Sequence, residues 1–387
     1  MKFEEILHRC FRCGYCKLPS NYVDLNCPSY LAYGFETYSP GGRMWLIRAW
    51  LDGKIDSSGN FGRILFSCAT CANCVEHCAM PGFSDDILFA FRAAKEELLD
   101  SGRVPSQVSD YLTRVQRYGN PYAKPASKRA DWARDAGIDE YDGHEYLFFA
   151  GDTGSYDPRG QEIAASVANL LLRAGISMGV LPANENSDGN DVRAAGETPL
   201  ADELCKKNIE AFKKKGVKKI ITLSPHAFNT FKKDYPDFGG VFSVFHYTQI
   251  LAFNMGALKV GKQAPPLTIT FHDPCYLGRH GGDFQSPRMI LGNLPGIQII
   301  EMDRNRKNAL CCGGGGGNFF TDMFGDADVS PARYRVREAA ETGASVLAVA
   351  CPLCAVMLED AVKTEGLEGK LRVREISEIV RERLNGK

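Results

Sequence analysis

The fourteen cysteines of this chain fall into groups of four, four and five with one left over, and that distribution constrains the fold more than any other feature. The first group is Cys10, Cys13, Cys16 and Cys27, and the second is Cys68, Cys71, Cys74 and Cys78. The third comprises Cys275, Cys311, Cys312, Cys351 and Cys354. Cys205 stands alone and reads as an ordinary thiol. Met1 to Cys10 carries Lys2, Glu4, Glu5 and Arg9 and lacks the apolar core of a secretory signal, so a reducing, cytoplasmic setting is expected. Disulfides are then disfavoured, and metal or cluster ligation is the reading.

The third group is built around Cys311-Cys312-Gly313, followed by Gly314 to Gly317. Adjacent side chains on an extended backbone diverge, so a vicinal pair grips one compact object only where the chain bends sharply. Glycine permits that bend and lets backbone N–H groups approach a bound anion. Cys275 upstream and Cys351-Pro352-Leu353-Cys354 downstream bring the thiolates to five, enough for an iron–sulfur cluster. A flexible glycine linker, the alternative, leaves Cys351-x-x-Cys354 unexplained.

The first two groups read differently. Cys68-x-x-Cys71-x-x-Cys74-x-x-x-Cys78 has the spacing of a bacterial ferredoxin run, with Pro81 trailing. In paired runs of this kind the last cysteine ligates the other cluster. Cys10, Cys13, Cys16 and Cys78 are therefore assigned to one [4Fe–4S] cluster, and Cys68, Cys71, Cys74 and Cys27 to the other. Two zinc sites of four thiolates are the alternative, but three cysteines at two-residue gaps, twice over, fit a cubane better.

With 387 residues there is room for two or three domains. A net charge of −1 gives no long-range field to recommend nucleic acid as a partner. No apolar run approaches the ~18–20 residues of a membrane span. Phe3 to Arg9 reads as a short helix, Arg43 to Asp52 as a helix stopped by Gly53, and Ser84 as the N-cap of a helix running to Gly102. From Val104 to Asp142 a helix and an irregular connector are expected. After Gly143 the pattern alternates strand and helix, with strands at Tyr146–Ala150, Ile176–Leu181, Lys219–Leu223, Leu267–Phe271, up to Glu301 and up to Ala350. Such alternation implies a mostly parallel sheet.

The alternating region is an internal repeat. Asp152 precedes Ser187 as Cys275 precedes Cys311; Ser187-Asp188-Gly189 matches Cys311-Cys312-Gly313, and Ser224-Pro225-His226-Ala227 matches Cys351-Pro352-Leu353-Cys354. All five ligand positions of the first copy (Asp152, Ser187, Asp188, Ser224 and Ala227) lack a thiol, so that copy is expected to be a scaffold without iron.

At this point the sequence resembles the iron–sulfur subunits of the heterodisulfide reductase D type, and the cluster-bearing subunits of anaerobic glycerol-3-phosphate dehydrogenase and glycolate oxidase. The matching stretches are Arg12-Cys13-Gly14-Tyr15-Cys16, His272-Asp273-Pro274-Cys275-Tyr276, Leu310-Cys311-Cys312-Gly313 and Ala350-Cys351-Pro352. The resemblance implies an α+β protein: a helical ferredoxin-like two-cluster domain with its connector (1–142), then two repeated α/β "CCG" domains, the first degenerate (143–261) and the second intact (262–387). It implies two [4Fe–4S] clusters and a further cluster on Cys275, Cys311, Cys312, Cys351 and Cys354, expected to be noncubane, with a cubane that leaves one cysteine idle as the alternative. The function expected is electron transfer inside a multi-subunit anaerobic oxidoreductase. Its partners would be flavin-, ferredoxin- or quinone-linked redox subunits, with peripheral docking at a membrane left open. ATP-independent benzoyl-CoA reductases and electron-transfer-flavoprotein oxidoreductases are complexes the resemblance admits. The alternative is a catalytic disulfide reductase acting at the five-cysteine site; a zinc-stabilised interaction module is a third reading. His246 is expected to be a satisfied histidine under the sheet, Asp273 a turn residue before Pro274, and Arg279 a residue that tunes a site.

Overall fold

The computed structural model describes residues 4–20, 24–80, 82, 86–182, 185–261 and 264–384. Among the described residues its N-terminal part has helices and loops but no strand, with short helices at Glu4–Arg9, Pro28–Tyr33, Phe61–Phe66 and Asn73–Glu76 and longer ones at Pro40–Leu51, Asp86–Asp100 and Ser106–Tyr118. The Pro40–Leu51 helix begins earlier than its apolar pattern suggested. Ser39 caps it, its Oγ accepting the Gly42 N–H at 3.0 Å, and Pro40 occupies the first position, where no N–H is needed. Ser84 and Pro81 lie outside the described residues, while Gly102 ends the Asp86–Asp100 helix with φ +67°. Helix Ser106–Tyr118 buries Val108, Tyr111, Leu112 and Val115, a single stripe at i, i+3, i+4 and i+7.

The rest of the chain forms two parallel four-stranded sheets. The first holds β1 (Tyr146–Phe149), β2 (Met178–Gly179), β3 (Lys219–Thr222) and β4 (Ser243–His246) in the order β2-β1-β3-β4. The second holds β5 (Leu267–Phe271), β6 (Ile297–Ile299), β7 (Val346–Val349) and β8 (Arg372–Glu375) in the order β6-β5-β7-β8. The two orders are the same, so the internal repeat of the sequence is a repeat of topology. Inner strands pair in register, Leu147 with Ile220 and Ile269 with Val346, and are apolar because helices cover both faces. Edge strands β4 and β8 were not expected from the sequence; burial alternates along each, so neither carries the continuous apolar run that marks the inner strands.

The two sheets are not independent. Tyr247 and Leu251, after β4, share one apolar core with Ile376 and Ile379, after β8. Trp132 and Ala133 from the connector enter that core too, and Glu140 forms a parallel bridge with Val180 at the edge of the first sheet. Among the described residues no helix is long and apolar enough to cross a membrane.

Candidate functional site

The N-terminal cysteines line two cavities. Cys10, Cys13, Cys16 and Cys78 surround one, with Met44, Met80 and Ile87 as its apolar wall. Cys27, Cys68, Cys71 and Cys74 surround the other, which Cys16 also touches. The fourth cysteine of each run thus lines the cavity of the other. The first cavity reaches the surface: Cys13 is exposed, and Phe11 and Phe35 stand out into solvent at 60% and 72% exposure. The second is interior, with Cys27, Cys68, Cys71 and Cys74 all buried. Burial drives the Cys16 thiol up to about 12 and raises Cys27, Cys71 and Cys74 as well; at Cys71 a thiol contact with Cys311 is the larger cause. Thiols this reluctant to ionise alone suit sites where iron supplies the compensating charge.

Arg43 belongs to the interior cavity, and sequence reasoning passed it over. Its side chain is 1% exposed, yet no carboxylate among the described residues pairs with it. Instead Nε donates to the Ile64 carbonyl at 2.7 Å, Nη1 to the Tyr38 carbonyl at 2.6 Å, and Nη2 to Ser29 Oγ at 2.8 Å and Ser67 Oγ at 2.9 Å. Its charge works against burial at Cys27. A buried cation with only neutral partners calls for an anion beside it, and four thiolates around iron and sulfide are one.

The five cysteines of the second sheet converge at the C-terminal ends of β5 and β7, where parallel sheets present their sites. All are at most 7% exposed. Cys311 and Cys275 are 3.7 Å apart at sulfur, and Cys312 and Cys354 are 3.5 Å apart. Gly313 takes φ +93° to make the bend, and its N–H donates to Cys311 Sγ at 3.3 Å. Cys351 sits at the N-cap of the thirteen-residue helix Pro352–Thr364, so the helix amides and dipole favour negative charge there. Contacts with Cys311 and Cys354 hold Cys312 well below its ordinary range, while contacts with their neighbours push Cys311 and Cys354 up. His272 joins the set: its ring and the sulfurs of Cys312 and Cys354 lie within 4.8 Å of one another, and the Cys312 thiol works against the burial that lowers the imidazole. Its place in His272-Asp273-Pro274-Cys275 was the only sequence signal.

The remaining glycines serve a purpose the sequence did not suggest. A Cβ on Gly315 would lie 2.5 Å from the Ala69 carbonyl, and one on Gly316 would lie 2.5 Å from that of Cys68. They let the five-cysteine loop press against the second ferredoxin run. Segment 67–71 is gripped from the other side too: Thr70 Oγ1 meets Tyr276 OH at 2.8 Å, His280 Nε2 meets the Thr70 carbonyl at 2.8 Å, and Arg279 Nε donates to the Cys71 carbonyl at 2.7 Å. Arg279 also donates to the Ala309 carbonyl at 2.6 Å; Cys71, Cys275 and Cys311 hold its charge against burial, and Nη2 has no hydrogen-bond partner among the described residues.

Two lesser expectations resolve differently. His246 is buried and satisfied, Nδ1 at 2.7 Å from Thr248 Oγ1 and Nε2 at 3.1 Å from the Leu223 carbonyl. Asp273 is not a simple turn residue. It is 3% exposed, clamped by Arg288 through two contacts of 2.7 and 2.9 Å, and accepts the Arg306 N–H at 2.7 Å, because the loop before Cys275 is pinned from inside.

Residues 6–81 match the 4Fe-4S dicluster domain family, and residues 146–232 and 269–359 match the cysteine-rich (CCG) domain family. Among similar proteins, the "Probable iron-sulfur-binding oxidoreductase FadF" of Bacillus subtilis is 38% identical over 83% of this chain and 47% of its own length. The EtfAB:quinone oxidoreductase of Syntrophomonas wolfei is 32% identical over 82% of this chain and 46% of its own. The chain therefore spans about half of these two relatives. The D-type subunit of the dihydromethanophenazine:CoB–CoM heterodisulfide reductase of Methanosarcina barkeri is 32% identical over 98% of this chain and 94% of its own. In fold alone, a hypothetical protein from Helicobacter pylori superposes with a TM-score of 0.51 at 11% identity, covering all of this chain and 73% of that one.

Proposed function

The chain belongs to the iron–sulfur oxidoreductase family of the heterodisulfide reductase D type, in which a 4Fe-4S dicluster domain precedes two CCG domains, and on that premise we propose that it is an electron-transferring subunit of a multi-subunit anaerobic oxidoreductase. When bound, its iron–sulfur clusters supply reversible one-electron storage. Cys10, Cys13, Cys16 and Cys78 hold the surface [4Fe–4S] cluster. Cys27, Cys68, Cys71 and Cys74 hold the interior one, and Cys275, Cys311, Cys312, Cys351 and Cys354 hold a noncubane cluster. We divide the chain into 1–142, 143–261 and 262–387, the middle unit carrying no cluster. Redox subunits linked to flavin, ferredoxin or quinone are the partners, in the cytoplasm or docked at a membrane surface, and the exposed Cys13 edge with Phe11 and Phe35 is where they contact the chain.

The observation that carries this reading is the clasp on segment 67–71. The neighbouring Cys311 thiol pushes the Cys71 thiol up, and Arg279 donates to the carbonyls of Cys71 and Ala309, so the interior and C-terminal sites are neighbours joined by one guanidinium. A second reading, disulfide reduction at the five-cysteine site, draws on the fifth thiol, which a cubane does not need. The test is iron and acid-labile sulfide analysis with EPR on anaerobically purified full chain. Three paramagnetic centres, with more iron than two cubanes contain, are expected, and each of the five C-terminal cysteines changed to Ser should lower iron or alter the third signal. Bound zinc in place of iron, or only two centres, refutes the reading.

A further inference from the structure

The first CCG half has lost its thiols but not its cradle. Gly189 takes φ +88°, as Gly313 takes φ +93° in the second half, so the bend that follows the lost cysteine pair survives. Four of the five replaced positions, Asp152, Ser187, Asp188 and Ser224, still line one cavity. Its volume of about 30 Å³ is room for one or two waters. Pro352 and Leu353 form its far wall, and these are the two residues between Cys351 and Cys354.

Beside the emptied cradle stands a pair that ties the two halves together. Asp191 accepts the Gly316 N–H at 3.1 Å with Oδ1, inside the glycine run, and meets His226 Nδ1 at 3.2 Å with Oδ2. The His226 ring lies on that of Tyr276, 4.1 Å between centroids, and Tyr276 follows Cys275. Asp188 is the cradle's least compensated group: Oδ1 accepts the Asn190 N–H at 2.7 Å, and no described protein group donates to Oδ2. The groups facing it are Asp152, Asp191 and His226, with Tyr111, Tyr235 and Cys205 on the surrounding helices; Arg129 is engaged by Asp152 and Glu185, each at 2.9 Å.

We propose that the emptied cradle is a proton-exchange chamber: each electron gained at the five-cysteine site of the second half is accompanied by a proton taken from solvent, through cavity water, onto the Asp188 carboxylate. The balance is one electron added to the site and one proton added to Asp188, which passes from carboxylate to carboxylic acid; oxidation reverses both. Negative charge arriving behind Pro352 and Leu353 raises the proton affinity of a carboxylate on the same cavity. Burial and Asp152 already drive Asp188 up to about 7, while Asp191 drives His226 up to about 9 against burial, so the second group stays charged while the first is poised. Asp152 and Asp188 stand where the second half has thiols, so two positions of a ligand set are an acid–base pair in the first half.

The inference rests on the proposed function only in that the second-half site takes up electrons. The test is an anaerobic redox titration of the full, iron-loaded chain between pH 6 and pH 8, following the EPR signal of the third centre, with a pH-indicator dye to count protons taken up on reduction. The potential should fall as pH rises, approaching about 59 mV per unit, which is one proton per electron. Asp188→Asn should flatten that slope and remove the dye response. Asp152→Asn keeps Asp188 but removes a neighbour that raises it, so the sloping region should move to lower pH. A potential that ignores pH in the unaltered chain, or a slope that both variants leave in place, overturns the chamber. A third signal absent from the unaltered chain overturns the proposed function and the chamber with it.

Discussion

Changing Arg43 to Met separates what the ferredoxin-like fold needs from what its cluster needs. Methionine keeps much of the apolar stem but removes four charge-assisted hydrogen bonds, to Ile64, Tyr38, Ser29 and Ser67. At about 1.5–3 kcal/mol each, these sum to roughly 6–12 kcal/mol before desolvation of the guanidinium is set against them. Two partners keep other bonds: the Tyr38 carbonyl still accepts from Ser29 Oγ at 2.8 Å, and the Ile64 carbonyl from Ser67 Oγ at 3.0 Å. With an anionic cluster beside it, losing the cation should cost about 3–5 kcal/mol, the range for breaking a buried pair. Without iron, the same arginine is a buried charge lacking an anion, and removing it should cost little or stabilise. The assay is anaerobic chaotrope unfolding of loaded and iron-free protein, alongside the rate at which a chelator bleaches the visible absorbance. Loaded protein should lose stability and bleach about a hundredfold faster or more, as ~3 kcal/mol dictates, while the iron-free protein changes by about 1 kcal/mol or less. An equal loss in both forms would refute the claim that the cluster is the counter-ion.

Cys27→Ala should damage the centre held by Cys68, Cys71 and Cys74 while sparing that of Cys10, Cys13 and Cys16; selective loss of the latter in EPR would show uncrossed wiring. Arg279→Gln should lower the potentials of the interior and C-terminal centres together, because a unit charge within about 6 Å at an effective dielectric near 20 contributes about 3 kcal/mol; a redox titration in which only one centre moves contradicts the shared position. Glu375, which accepts from Tyr247 OH across the two halves, is pushed up to about 7 by burial. The folded state therefore holds a proton that the unfolded state has released, and this group's contribution to stability falls between about pH 4.5 and 7, by at most about 3 kcal/mol. Glu375→Gln should reduce the loss of stability seen on raising the pH from 5 to 8, and chaotrope midpoints that fall equally in both proteins count against it.

The spacing of the cysteines was enough to assign two ferredoxin-like runs and one five-thiol set, since ligand chemistry fixes residue type and local spacing before any fold exists. The repeat was legible for a similar reason: strand, turn and helix signals recur at fixed intervals, and the two sheets share one strand order. Even the loss of thiols from the first half was visible letter by letter. Strands β4 and β8 were not, because a four-residue edge strand is defined by the neighbour it pairs with. Arg43 looked like any helical arginine until its face of the helix met the cavity of Cys27, Cys68, Cys71 and Cys74. Gly315 and Gly316 read as pliant backbone, whereas packing made them obligatory through the carbonyls of Ala69 and Cys68, some 245 residues away in sequence. Asp191 and His226 acquired a role only when folding set them against Gly316 and Tyr276. Local chemistry writes itself into spacing, but which site faces which is decided by long-range packing, and that leaves no period in the sequence.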